Sequence, residues 1–301
     1  PEQFIADLTK LGIKVIPPDE RDATQQWQQL AGYEFIKEEI TDTVLNYLLH
    51  PDVYDAITLG TRQKSESNRP RAILFEGPPG TGKTMTARII AGSCKKHMIH
   101  LPIESIVSKW YGESEKSLTK ILDICEKLGG CVIFIDEIDA MAPSRGGEIH
   151  EATRRILSVL LQRLEGFSGR SDNILVCATN RKRDLDQALI SRFNVIVKYD
   201  LPNAATRAAI FKMYAKQLTP LECDELSDLS EGLSGRGIKD VCEQTERKFA
   251  SVLIRDRLLR TPSDAVDREH PLPRYQCYVE QIHRYAMSHG VSGGENTHVA
   301  S

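Results

Sequence analysis

The chain has 301 residues, 39 of them Lys or Arg against 42 Asp or Glu, with 41% hydrophobic and 6% aromatic content, the balance of a globular chain rather than a disordered or fibrous one. A formal charge of −3 leaves no global excess for holding nucleic acid or an anionic membrane, and apolar runs such as Cys131–Ile135 are far too short to cross a bilayer. The length predicts one large core and a smaller one. Seven cysteines, none in a CxxC pair, read as buried thiols in a reducing compartment and not as a disulfide frame or a zinc site. The expected location is intracellular, the cytoplasm first, with an organelle left open because the chain begins at Pro1 and any targeting segment or upstream domain lies outside view.

Residues 1–28 mix short apolar groups with Pro17, Pro18 and a charged, Gln-rich stretch, and read as a lead-in or linker that packs on a core without being one. In residues 33–49, Phe35, Ile36, Ile40, Val44 and Leu48 recur at helical spacing, and residues 61–71 read as a polar loop. Short apolar runs then occur at 72–75, 131–135, 174–178 and 195–197, with 98–101 as a weaker fifth strand. Amphipathic helical stretches lie between them, one carrying Leu118, Ile121, Leu122, Cys125 and Leu128, another Ile156, Val159, Leu160 and Leu164. Strand alternating with helix requires crossovers, hence a largely parallel α/β sheet covered on both faces, placed at residues 29–201. After Pro202 the pattern is helical only, which predicts a small α-helical domain over 202–289 and a disordered tail over 290–301.

Directly after the first strand comes Gly77-Pro-Pro79-Gly80-Thr81-Gly82-Lys83-Thr84, a GxxxxGK[ST] loop opening a helix that continues through Met85. Glycines let backbone N–H groups turn inward, the helix N-terminus adds positive potential, Lys83 can reach the β- and γ-phosphates, and the Thr84 hydroxyl can ligate Mg²⁺. The run 131–135 ends in Asp136 and Glu137, and in a parallel sheet these emerge at the ligand end. Asp136 then holds Mg²⁺ through water and Glu137 is the general base for the attacking water. Asn180, ending the next strand, is placed to bond both γ-phosphate and lytic water, although Asn at a strand end is also an ordinary turn former. Arg192, entering the last strand, is a candidate finger for another subunit's γ-phosphate or else a surface ion-pair partner.

These elements, GPPGTGKT, FIDEIDA, CATN and the Arg192 segment, resemble in order and spacing the AAA family of AAA+ ATPases, over roughly residues 30–287. The resemblance implies a P-loop NTPase core followed by a helical lid, ATP and Mg²⁺ as cofactors, and a ring, a homo-hexamer or a hetero-ring, with ATP at subunit interfaces. Leu30-Ala-Gly32-Tyr33 is similar to the family's adenine-contacting segment, and Ile156 with Arg154 and Arg155 to its interface helix. Ser108-Lys109-Trp110-Tyr111-Gly-Glu-Ser114 is similar to the pore loop of katanin- and spastin-type members. No helical pattern gives Trp110 and Tyr111 a core to fill, so they are candidates to grip a peptide, with a hydrophobic staple on the sheet edge as the alternative. Arg236 resembles a sensor-2 arginine, and can also be read as a solvated charge at a helix start; Tyr214 stands where relatives have a ribose-contacting His. The second finger position is Val195, and the usual Arg-Pro-Gly insertion before it is missing.

The function this implies is an ATP-hydrolysing ring that remodels, unfolds or translocates a protein substrate, with a protein adaptor or client as partner and no nucleic acid. Two alternatives are a nucleotide-gated scaffold, and the ATPase half of an FtsH-like protease, for which these 301 residues contain no HExxH motif.

Overall fold

Strands covered on both faces carry unbroken apolar runs, and the central runs of this chain fall into strands of that kind. A computed structural model describes residues 2–63, 70–101, 114–141, 173–258 and 271–290. They divide into two compact units, one drawn from residues 1–30, 34–78 and 82–199, the other from 31–33, 79–81 and 200–301.

The first unit opens with α1 (Glu2–Lys10), β1 (Lys14–Ile16) and α2 (Ala23–Trp27). Next come α3 (Glu34–Ile40), a π-helical turn (Thr41–Leu45), α4 (Asn46–Leu49) and α5 (Pro51–Thr61). It continues with β2 (Ala72–Glu76), α6 (Lys83–Ser93), β3 (His97–His100), α7 (Ser114–Lys127) and β4 (Cys131–Ile135). It ends with β5 (Ile174–Thr179), α8 (Gln187–Ile190) and β6 (Val195–Lys198). The six strands form one sheet in the order β1-β3-β4-β5-β2-β6, parallel throughout except for β1. The connection leaving β2 runs toward β3 while the one leaving β5 runs toward β6, so the chain reverses its winding between these two neighbours. In open α/β sheets that crevice, at the carboxyl ends, is where ligands sit. Leu74, Ile133, Ile135, Leu175 and Cys177 pack with Ile121, Leu122 and Cys125 of α7 in one apolar cluster, while α6 lies against β3, β4 and β5. This is the α/β architecture that the alternating pattern predicts.

The lead-in is more deeply involved than its composition suggests. β1 pairs antiparallel with β3, Lys14 opposite His100 and Ile16 opposite Met98, and Leu8 and Ile13 are buried members of the main cluster. A strand of three residues ending against Pro17 and Pro18 is too short to show an alternation. In α3, Ile36 and Ile40 are buried as expected, whereas Phe35 is 73% exposed; beyond the π turn Tyr47 is buried and Leu48 half-buried. All seven cysteines are free thiols, five of them buried. Burial pushes Cys94 up to about 11 and Cys242 up to about 12, which keeps them protonated and unreactive near neutrality.

The second unit contains α9 (Ala204–Tyr214), α10 (Pro220–Leu229), α11 (Gly235–Leu258) and α12 (Tyr275–His289). Asn203 caps α9 through the Thr206 amide at 2.8 Å, and Thr219 with Glu222 forms a capping box on α10, with Pro220 in its first turn. The buried Arg207 guanidinium donates to the carbonyls of Ser227 and Pro202, both at 2.8 Å, which ties α9 to the end of α10. Among the described residues no helix is long and apolar enough to cross a membrane.

If the lead-in is part of the core, Leu8→Ala lowers unfolding free energy by about 2–5 kcal/mol, the range for a buried leucine. Urea unfolding measures this. A loss under about 0.5 kcal/mol, as at a surface position, would detach residues 2–16 from the folded unit.

Candidate nucleotide-binding site

β2 and β5 run in parallel register, with Glu76 opposite Thr179, so the segments leaving the two strands emerge at the same edge. Gly77 continues the ladder by donating its N–H to the Thr179 carbonyl at 3.2 Å. Its φ is +144°, and a Cβ there would collide with the Tyr199 carbonyl oxygen, so only glycine fits between β5 and the chain leaving β6. Gly82, at φ +100°, turns the chain into α6.

Lys83 is the first residue of α6 and only 6% exposed. A buried ammonium needs acceptors for its protons. Its Nζ donates to the carbonyls of Gly77 and Pro78, each at 2.7 Å, and to Asn180 Oδ1 at 2.9 Å. The Thr84 hydroxyl donates to Asp136 Oδ2 at 3.1 Å, and Asp136 Oδ1 accepts the Glu137 N–H at 2.9 Å. Glu137 is exposed and sits at φ +53°, a conformation that non-glycine residues adopt at a cost and that gathers at functional positions. Lys83, Thr84, Asp136, Glu137 and Asn180 therefore come together at the carboxyl ends of β2, β4 and β5. A hydroxyl beside a carboxylate is the hard-oxygen pair that Mg²⁺ takes, and the first turn of α6 presents N–H groups with no intrahelical acceptor to an anion; the residues fit a magnesium–nucleotide complex.

Two interactions at this edge are not foreseen from the sequence motifs. Asp139 accepts hydrogen bonds from the Thr179 hydroxyl and the Asn180 N–H, and Lys182 pairs with Glu76 at 2.8 Å. The third acid of FIDEIDA is a signal for the first. Nothing in the one-dimensional pattern pairs Glu76 with Lys182, which meet only through the β2–β5 register.

Arg192 lies elsewhere. It comes just after α8, and two residues on the Asn194 side-chain oxygen accepts the N–H groups of Arg71 and Ala72, both at 3.0 Å, at the amino end of β2. The five residues of β2 separate that end from Gly77 by roughly 15 Å at ~3.3 Å per residue. The Arg192 side chain is exposed and has no ion-pair partner among the described residues.

In the helical unit, Gly32 (φ +66°) lies against Thr206, whose Cγ2 would stand 2.7 Å from a Cβ at Gly32, and the Thr206 hydroxyl receives the Tyr33 N–H at 3.5 Å. Burial, with Asp200 nearby, pushes the Tyr33 hydroxyl up to about 12, so it stays a neutral phenol. The loop tip Pro79–Thr81 belongs to this unit as well. The Arg236 N–H donates to the Gly80 carbonyl at 3.1 Å, and a Cβ on Gly80 would meet Ser234 Oγ at 2.7 Å. The Arg236 side chain is exposed, half-buried Met85 comes after Thr84 in α6 of the other unit, and Tyr214 lies under Lys239, whose Nζ is 6.0 Å from its ring centroid. Lys109, Trp110 and Tyr111, and the stretch with Arg154, Arg155 and Ile156, lie outside the described residues.

Residues 73–201 match the family model of the ATPase family associated with various cellular activities (AAA). The chain is 34% identical over 243 residues to a cell division cycle protein 48 homolog of Archaeoglobus fulgidus, a match covering 78% of this chain and 32% of that protein. It is 32% identical over 244 residues to a spastin of Naegleria gruberi, covering 78% and 45%. The chain thus spans about a third and under a half of these two relatives' lengths. Its fold is similar to a FIGL-1 AAA domain solved in complex with ADP, with a TM-score of 0.73 at 24% identity over 94% of this chain and 90% of that one.

The close approach at Gly77 gives a test. Gly77→Ala loses roughly 1–3 kcal/mol or more to backbone strain and displacement of Tyr199, and nucleotide affinity falls with it. Gly129→Ala, at φ +83° with open space around it, meets the strain alone and keeps affinity. Titration with a fluorescent ATP analogue separates the two; equal affinities would deny Gly77 its place in the site.

Proposed function

Because this chain belongs to the AAA ATPase family, we propose that it hydrolyses ATP at the edge built around Lys83 and that protomers joined in a hexameric ring use the energy to remodel a protein substrate drawn through the ring. The observation that carries the hydrolytic part is the convergence at one sheet edge of a buried lysine, the Thr84–Asp136 pair and the exposed Glu137. Lys83 exchanges its carbonyl partners for β- and γ-phosphate oxygens, and the N-terminal turn of α6 binds the same charge. Mg²⁺, when bound beside Thr84 and Asp136, supplies positive charge to the phosphate oxygens. Glu137 takes a proton from the attacking water as the water's oxygen bonds to the γ-phosphorus, and ADP leaves. Asn180, already in contact with Lys83, holds the γ-phosphate and that water in line. The family resemblance assigns Gly32, Tyr33 and the sensor-like Arg236 further roles toward the nucleotide.

Support for action in trans comes from the sheet itself. Arg192 stands at the opposite end of β2 from Lys83, too far to serve its own protomer's phosphate, and lacks an ion-pair partner among the described residues. Support for peptide threading is the resemblance of residues 108–114 to translocating pore loops and the likeness to spastin.

Glu137→Gln retains ATP and loses about 10²- to 10⁴-fold in turnover, the range for a removed general base; undiminished hydrolysis would remove that role. Arg192→Ala loses on the order of 10³-fold or more if it acts as a finger. Mixing the two inactive variants decides the geometry. A Glu137→Gln protomer still carries Arg192 and can complete the site of an Arg192→Ala neighbour, so activity returns on mixing if the finger works in trans, and stays absent if it works within one chain. Trp110→Ala keeps ATPase activity while losing unfolding of a tagged client; unfolding at the parent rate would remove Trp110 from the grip, and a parent protein that binds the client without unfolding it would make a nucleotide-gated scaffold the better description.

A further inference from the structure

Asp139 has no bond to Lys83, Thr84 or Glu137, yet it governs where one of the site's groups stands. It lies on the short 3₁₀ turn Ile138–Met141 just beyond β4, anchored by the fully buried Ile138 beside it. A single oxygen, Oδ1, accepts both the Thr179 hydroxyl at 2.9 Å and the Asn180 N–H at 3.0 Å. The Thr179 hydroxyl in turn accepts the Arg181 N–H at 3.0 Å. One carboxylate oxygen therefore fixes three consecutive residues, 179–181, directly or through one fully buried hydroxyl.

The location makes this necessary. Thr179 is the last β5 residue paired with β2, so the ladder stops one residue before Asn180. The next cross-strand tie is the Lys182–Glu76 ion pair. Charged acceptors make the shorter and stronger hydrogen bonds, and here one holds the residue whose Oδ1 meets Lys83 Nζ at 2.9 Å. We infer that Asp139 is a positioning residue for ATP hydrolysis, holding the Asn180 side-chain amide in line with Lys83 through the Thr179 hydroxyl and the Asn180 backbone N–H. This rests on the proposed function of the same site.

The test compares Asp139→Ala with Asp139→Asn, and Thr179→Val with Thr179→Ser, by steady-state ATPase kinetics, affinity for a fluorescent ATP analogue and melting temperature. Asp139→Ala lowers kcat about 100-fold, the scale of an ångström-size displacement of a positioned group, with analogue affinity within about threefold of the parent, as expected when only turnover geometry is disturbed. Asp139→Asn keeps a carbonyl oxygen that can accept both bonds and recovers most of that loss. Thr179→Ser keeps the relay and turns over, whereas the near-isosteric Thr179→Val does not; this pair decides the matter if Asp139→Ala fails to fold. Full turnover in Asp139→Ala overturns the inference, as does parallel loss of affinity and kcat, or a folded Asp139→Asn no better than Ala, which would assign the negative charge itself a direct role. A parent protein that binds nucleotide but never hydrolyses it removes the proposed function and this role together. An active parent with an equally active Asp139→Ala removes only the latter.

Discussion

The parallel register of β2 on β5 is the constraint on which the rest of the site depends. With Glu76 opposite Thr179, the phosphate loop and the Asn180 segment leave the sheet side by side, and the Lys83 ammonium can span them with bonds of 2.7 to 2.9 Å. A slip of one residue would turn every β2 side chain to the other face, removing Leu74 from its cluster with Leu175 and Cys177 and carrying Lys83 away from Asn180. Packing on both faces of the sheet therefore fixes the chemistry at its edge. Neither strand tolerates a shift, because both are buried nearly end to end.

The charged groups of the proposed chemistry fall into two kinds, those of the carboxyl edge and Arg192 at the other end of β2 taken together. Lys83, Asp136, Asp139 and the Glu76–Lys182 pair are held by named partners at hydrogen-bond distance, which offsets the cost of removing them from water. Glu137 and Arg192 are exposed. Groups that must stay in place are tethered by the fold, whereas the two assigned to proton transfer and to stabilising developing charge are left free to meet water or another chain. The φ of +53° at Glu137 is consistent with this, since its amide is tied to Asp136 while its side chain is directed outward.

Much of this was legible in the sequence because the decisive signals are local. A glycine-rich loop between an apolar run and a helix, or two acids closing a buried strand, needs no tertiary knowledge to recognise, and Lys83, Thr84, Asp136, Glu137 and Asn180 stand together at the predicted strand ends. Signals that depend on pairing were hidden. β1 has three residues and becomes a strand only because β3 has an open edge. Glu76 and Lys182 are more than a hundred positions apart and meet through register alone. Asp139 was in plain sight, but its bonds to Thr179 and Asn180 arise from the turn after β4, which a pattern of apolar spacing does not encode. Phe35 kept the helical spacing and still lies outside, since periodicity gives a stripe without fixing its width.

Arg192 lies toward the amino end of β2 and Lys83 beyond its carboxyl end, which on the proposed reading gives each protomer a donor pole and an acceptor pole. On the proposed reading, contacts between copies are then heterologous, head to tail, rather than the self-complementary kind of a two-fold dimer. An open row of such subunits always has one incomplete site at its end, and closure of the circle is what equips the last of them. Assembly and catalytic capacity would rise together, with the final subunit contributing more than any before it.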